Sequence, residues 1–177
     1  MKTLITTFLV TLNLTLFSQI FDYKQNTKIE SDETYYFHAI GSMYSDNIIL
    51  PKLAQFTKIF KVEVVIDEKY VVLSSNELTP EGYIDLKKLN CLNYGEHHIY
   101  FTTTPMRLEG KKIQGFRRNG NIVVNDLDKR ITTLYHEFAH TCGVRHCDDR
   151  NCIMFISETG ATWFCNKCEN LIKDKLK

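Results

Sequence analysis

The sequence predicts an α/β domain, α+β in organisation. Three observations support this: short β-branched and aromatic runs, a helix-period apolar run from Ile49 to Phe60, and a second amphipathic helix that begins at Leu127. No internal repeat, low-complexity tract or Pro/Gly-rich linker divides the chain, so one domain accounts for it, with a distinct segment after Gly143.

Glu33 to Ile40 is aromatic and aliphatic and is closed by Gly41-Ser42, which predicts a first strand. Ile49, Leu53, Phe56 and Phe60 then recur at helical spacing, with Pro51 near the start, where a missing N–H is tolerated. Val62, Val64, Val65 and Ile66 return to strand, and Tyr70 to Leu73 form a further extended run. Thr79-Pro80-Glu81 predicts a helix start that Leu86, Leu89 and Leu92 continue. His98 to Thr103 is a strand, and Ile113–Phe116 with Asn121–Val124 flank Arg118-Asn119-Gly120, an Asn-Gly hairpin signal.

Charge is balanced, 22 Lys+Arg against 21 Asp+Glu in 177 residues, which excludes a strong field for nucleic acid or an anionic membrane surface. With 44% hydrophobic residues the chain can bury a sizeable core. At the N-terminus Lys2 precedes an apolar run, Leu4 to Phe17, that stops at Ser18-Gln19; this reads as a signal peptide over residues 1–19, with residues 20–177 as the folded domain. The run is short and threonine-rich for a membrane span, which needs roughly 20 apolar residues. No cysteine follows it until Cys91, so a lipid-attachment signal is missing. The expectation is an exported protein, periplasmic or secreted, with no stable membrane span once the signal is removed.

From Leu127 the apolar residues Leu127, Ile131, Leu134, Tyr135, Phe138 and Cys142 repeat at three- and four-residue intervals and define one buried helix face. His136 and His140 lie on another face. Four residues make about 400° of helical rotation, so their imidazoles stand one turn apart and can bind one ion. Glu137 points about 100° away from His136, which suits a base acting on water better than a third ligand. Gly143 sits where a helix ends in a left-handed residue, and the turn it permits can bring His146 back as a third nitrogen ligand. Three ligands leave a fourth position open, the arrangement of a catalytic zinc. The chemistry expected is peptide hydrolysis, with water and carbonyl activated by zinc and Glu137 carrying the proton from water to the leaving amine.

Six cysteines stand at 91, 142, 147, 152, 165 and 168, and five of them fall within the last 36 residues. Cys165-Asn-Lys-Cys168 has the spacing of a metal knuckle. In an oxidising compartment two disulfides are the alternative reading. With HEFAHTCGVRH followed by CDDRNCIM and CNKC, the segment Leu134–Cys168 resembles the archaemetzincins, a metzincin family. That resemblance implies a metzincin-like domain: a twisted mixed sheet, two long helices of which the second carries His136 and His140, and a small C-terminal subregion. It implies two zinc ions per chain. His136, His140 and His146 would bind the catalytic one, with Glu137 as base and Met154 in the turn beneath the metal. Cys147, Cys152, Cys165 and Cys168 would hold a structural one. The strand or hairpin near residues 112–124 would border the cleft and offer its edge to an extended peptide.

The expected partner is a peptide or protein substrate, with no nucleic acid, and the expected state is a monomer. A non-catalytic zinc-binding module is the rival reading, against which the intact Glu137 speaks. Cys91 and Cys142 occupy apolar positions of predicted helices and are expected as buried thiols. His97 and His98 are expected as surface or packing residues, and Trp163 and Phe164 as packing around the second zinc or as a pocket wall. Lys111, Lys112, Arg117 and Arg118 form a basic patch, read as a solvated hairpin or as a site for acidic peptide groups.

Overall fold

Alternation sets the first strand: in β1 (Thr34–Ile40) Tyr35, Phe37 and Ala39 are buried on one face, while Tyr36 on the other is 44% exposed. A computed structural model describes residues 33–40, 46–67, 71–93, 95, 97–125, 131–157 and 160–177. The expected signal segment, residues 1–19, lies outside the described residues, as does the first part of the second predicted helix, residues 127–130. The described residues belong to one compact unit, Ser31–Lys177.

Helix α1 (Asp46–Phe60) buries Ile49, Leu53, Phe56 and Phe60, the four residues whose spacing predicted it. It begins earlier than expected, so Pro51 lies inside the helix rather than at its first turn. Strand β2 (Glu63–Ile66) then pairs in parallel with β1, in the register Thr34 with Glu63 and Phe37 with Ile66. After β3 (Ile84–Asp85) come β4 (His98–Thr102), β5 (Met106–Leu108), β6 (Lys111–Ile113), β7 (Gly115–Arg118) and β8 (Asn121–Asn125). The main sheet has the order β2-β1-β4-β8-β7, parallel throughout except for the antiparallel edge strand β7. It is mixed, as the resemblance implied. Strand β3 pairs in parallel with β5, and β5 antiparallel with β6, in a separate three-stranded sheet.

Both faces of the main sheet are covered. Ile99 and Phe101 of β4 with Ile122 and Val124 of β8 pack with Phe56 and Phe60 of α1 and with Phe138 of α2 (Ile131–Thr141). Tyr100 and Val123, their neighbours in sequence, point the other way into a second cluster with Ile84, Leu86, Leu89, Leu92 and Met106. A strand enclosed on both sides reads as a continuous apolar run, and β8 is buried at every position. The last helix, α3 (Asn166–Lys175), buries Cys168 and Ile172 one turn apart. No helix among the described residues is long and apolar enough to cross a membrane.

The helix expected from Thr79 to Leu92 does not form. Gly82 takes φ +82°, its N–H bonds back to Thr79 O at 2.9 Å, and Thr79 N–H bonds to Tyr83 O at 2.8 Å, so Thr79–Tyr83 is a closed turn. The Glu77 carboxylate then ties two irregular segments together, accepting from the Ser74 and Asn90 amides at 2.9 and 2.8 Å. Leu86, Leu89 and Leu92 are fully buried without the expected helix; only Leu92 lies in a helical turn, the short 3-10 segment Asn90–Asn93, and the layer packs with Ile84 and Met106 of the second sheet. Of the extended run expected from Tyr70 to Leu73, Tyr70 lies outside the described residues and residues 71–73 form no strand; Val71 alone bridges to Ile40. The Asn-Gly hairpin is as expected, with Asn119 and Gly120 at φ +54° and +77° joining Arg118 to Asn121. Its first strand is divided, however, since Lys111–Ile113 and Gly115–Arg118 belong to different sheets.

Phe56 is fully buried, 5.0 Å from the Phe138 ring in an edge-on contact. Phe56→Ala is expected to lower the unfolding free energy by about 3–5 kcal/mol, measured by denaturant titration.

Candidate metal centres and cleft

Helix α2 places His136 and His140 on the side away from Leu134, Phe138 and Ala139, which are buried in the core. It ends at Gly143, whose φ of +82° turns the chain while Val144 N–H bonds back to Ala139 O at 3.0 Å. His146, exposed, comes back to the helix from beyond that turn. The Nε2 atoms of His140 and His146 lie 3.1 and 3.3 Å from Nε2 of His136.

Backbone carbonyls hold two of these rings from behind. His136 Nδ1 donates to Ile153 O at 2.6 Å, and His140 Nδ1 donates to Val144 O at 2.7 Å. With the proton on Nδ1, the neutral rings turn the Nε2 lone pair toward one point. Burial keeps both imidazoles below their ordinary pKa, in the neutral form that a metal requires. Lone pairs that converge cannot satisfy one another, and a divalent cation with a taste for nitrogen, such as zinc, fits between them.

Glu137 is 9% exposed, and burial pushes its carboxyl up to about 7, opposed only in part by the charge of Arg117. Together with His136 it lines a cleft of ≈ 450 Å³ between Gly115 and Thr133 on one side and Ile153, Phe155 and Ile156 on the other. Ile156 is 76% exposed. Strand β7, the sheet edge expected to border the cleft, contributes Gly115 to it.

The second group gathers Cys147, Cys152, Cys165 and Cys168, with ligand atoms within 4.8 Å of one another. All are free thiols, not the alternative pair of disulfides. Four sulfurs with no other donor among them suit a tetrahedral zinc and leave no open position. Cys165 caps the start of α3 and Cys168 lies in its first turn. Sγ of Cys152 accepts the amides of Met154 and Cys165 at 3.4 and 3.2 Å. Met154 itself is fully buried, and its carbonyl accepts the Cys147 amide at 3.0 Å. Among the described residues these two are the groups of three or more His, Cys, Asp or Glu able to hold an ion.

Most of the other candidate residues stay outside the two metal centres. His98 stacks on His38 and Tyr100 and pairs with His38 Nε2 at 2.8 Å, while His97 packs edge-on to Tyr35. Trp163 and Phe164 pack on Phe60 in the core, so they form no wall of the cleft. Cys91 and Cys142 are half-buried free thiols against different core clusters. The basic patch is divided: Arg118 bonds Leu89 O at 2.9 Å, Lys112 stands over the Tyr83 ring and lines the cleft, and the charge of Arg117 acts on Glu137.

Two contributors escaped the sequence reading. The Ile153 carbonyl, a backbone group, carries no signature. Gly115 does, since a glycine between Ile113 and Phe116 within a strand run marks a close approach. A Cβ there would sit 2.5 Å from Thr133 Cγ2 and 2.8 Å from Glu137 Cγ.

No family model matches the chain. A curated archaemetzincin of Methanopyrus kandleri is 37% identical over 57 residues, a match spanning 29% of this chain and 33% of that protein. The aligned stretch thus covers about one third of the relative's length. The solved structure of the Methanopyrus kandleri archaemetzincin superposes with TM-score 0.65 at 22% identity, covering 81% of this chain and 96% of the other. An archaemetzincin from Archaeoglobus fulgidus, in complex with malonate, gives 0.66 at 19% identity over 78% and 99%. A zinc-dependent peptidase from Methanocorpusculum labreanum gives 0.63 at 15% identity over 79% and 100%. The fold is that of the archaemetzincins, as the sequence resemblance implied.

Gly115→Ala is expected to force Thr133 and Glu137 aside and to destabilise the protein by about 1–3 kcal/mol. Denaturant titration gives the magnitude, and an unchanged midpoint would show that β7 can yield.

Proposed function

We propose that the chain is a zinc metallopeptidase of the archaemetzincin family that hydrolyses peptide bonds at the cleft holding Glu137. The observation that carries this reading is the convergence of three imidazole Nε2 atoms beside a buried carboxyl in an open cleft. His136, His140 and His146 would hold the catalytic zinc; the ion, when bound, supplies a Lewis acid that polarises a carbonyl and acidifies water.

The chain's own groups do the rest. Glu137 accepts the proton of the attacking water and hands it to the departing amine, a role for which a carboxyl near neutrality is matched. Ile153 O and Val144 O keep His136 and His140 in the required tautomer and orientation. The substrate lies between β7 and the segment Ile153–Ile156, with water kept from the buried side of Glu137 by Thr133 and Gly115. Met154 fills the turn beneath the histidines. Cys147, Cys152, Cys165 and Cys168 would take a second, structural zinc, so that a chain carries two.

Residues 20–177 form the peptidase domain, working as a monomer after export to the periplasm or the medium. The apolar run from Leu4 to Phe17 behind Lys2 supports that location.

Metal analysis by mass spectrometry is expected to give two zincs per chain. Glu137→Gln is expected to keep both while cleavage of a random peptide library falls by about 10²–10⁴-fold. Two zincs with no cleavage by the wild type would overturn the peptidase reading, and one zinc would overturn the two-site reading.

A further inference from the structure

We propose that the four-cysteine centre positions two of the three catalytic-site imidazoles, His136 and His146, so that filling it tightens metal binding at the histidine site. This rests on the two-zinc reading and adds an energetic link between the centres.

Two routes join them. Cys147 follows His146 directly in the chain, and its amide donates to Met154 O at 3.0 Å in a parallel bridge to Phe155. A metal held by Cys147 Sγ therefore fixes the backbone that carries His146, a residue otherwise exposed. The second route begins at Cys152. Its sulfur accepts the amides on both sides of the turn, Met154 and Cys165, and the next residue is Ile153, whose carbonyl receives the His136 Nδ1 proton at 2.6 Å. The Ile153 amide is held in turn, its N–H donating at 3.0 Å to the carbonyl of Trp163, two residues before Cys165. The peptide group that orients His136 is thus fastened through Cys152 and through the segment leading to Cys165.

His140 has no such route. Its Nδ1 donates to Val144 O, a carbonyl of the turn that closes its own helix, and that turn is held by Ala139 O and His140 O. With the cysteine site empty, the segment 147–168 loses the cross-link that joins its ends. The helix still presents His136 and His140, but His136 loses the fixed position of its carbonyl partner and His146 loses its anchored neighbour. Groups that orient a ligand from behind set metal affinity by about 10–100-fold, so an effect of that size is expected. Linkage makes the coupling reciprocal: metal at the histidines tightens the cysteine site by the same factor.

The test measures zinc dissociation constants of the full chain by chelator competition. Cys168→Ser removes a thiol of α3 remote in sequence from the three histidines, and is expected to weaken the histidine site by about 10–100-fold. His140→Ala, which removes a half-exposed helix ligand outside both routes, is expected to weaken the cysteine site by the same factor. A histidine-site constant unchanged within about twofold in Cys168→Ser would overturn the coupling while leaving a wild type that binds two zincs and cleaves peptides intact. Should Cys168→Ser fail to fold, His140→Ala decides alone: a cysteine-site constant at the wild-type value overturns the proposal.

Discussion

A neutral imidazole has one proton and one lone pair, and in this chain backbone carbonyls decide which nitrogen carries which. Ile153 O and Val144 O hold the Nδ1 protons of His136 and His140 at 2.6 and 2.7 Å, which leaves the Nε2 lone pairs free to meet. Each bond is worth only about 1 kcal/mol net. Their effect lies in direction rather than strength, since a ring turned about its Cβ–Cγ bond would aim its lone pair elsewhere. The rest of the molecule can be understood as the means of putting those two carbonyls in place.

Packing supplies that means. Phe138 and Ala139 sink the inner face of α2 against Phe56 and Phe60, which fixes the rotation of the helix and hence the side on which the histidines emerge. Burying aromatic side chains contributes several kilocalories per mole each, far more than the hydrogen bonds at the site. The outer side of α2 meets strand β7 so closely at Gly115 that no side chain fits between them. The helix is therefore set from both sides, and Glu137 inherits a dry environment from the contact with β7. Burial that would be costly for a structural carboxylate gives this one a proton affinity suited to neutral solution.

Local signals in the sequence transferred well to the structure. His136, His140 and Gly143 lie within one helix and its terminating turn and His146 only three residues beyond, so covalent spacing nearly determines their geometry, and the four cysteines meet as the resemblance implied. Asn119-Gly120 forms its hairpin because few other residue pairs accept two consecutive positive φ angles. Signals that depend on tertiary surroundings did not transfer. Leu86, Leu89 and Leu92 have helical spacing but sit in an irregular layer, where the Gly82 turn and the bonds of Glu77 outweigh propensity. Helix α3 was missed because NKCENLIKDK buries little besides Cys168 and Ile172, too few positions to mark an apolar face. Ile113 and Gly115, two residues apart in one apparent run, part into two sheets, a division that only pairing partners decide.

The close approach at Gly115 also bears on how such a cleft can evolve. A methyl group at this position would have to displace Thr133 and Glu137, so any side chain there comes at a cost in stability. Change is easier on either side of it: Lys112, exposed just before the edge strand, and across the cleft Ile156, exposed as well. The rim of the cleft is thus open to substitution while its floor at Gly115 is constrained.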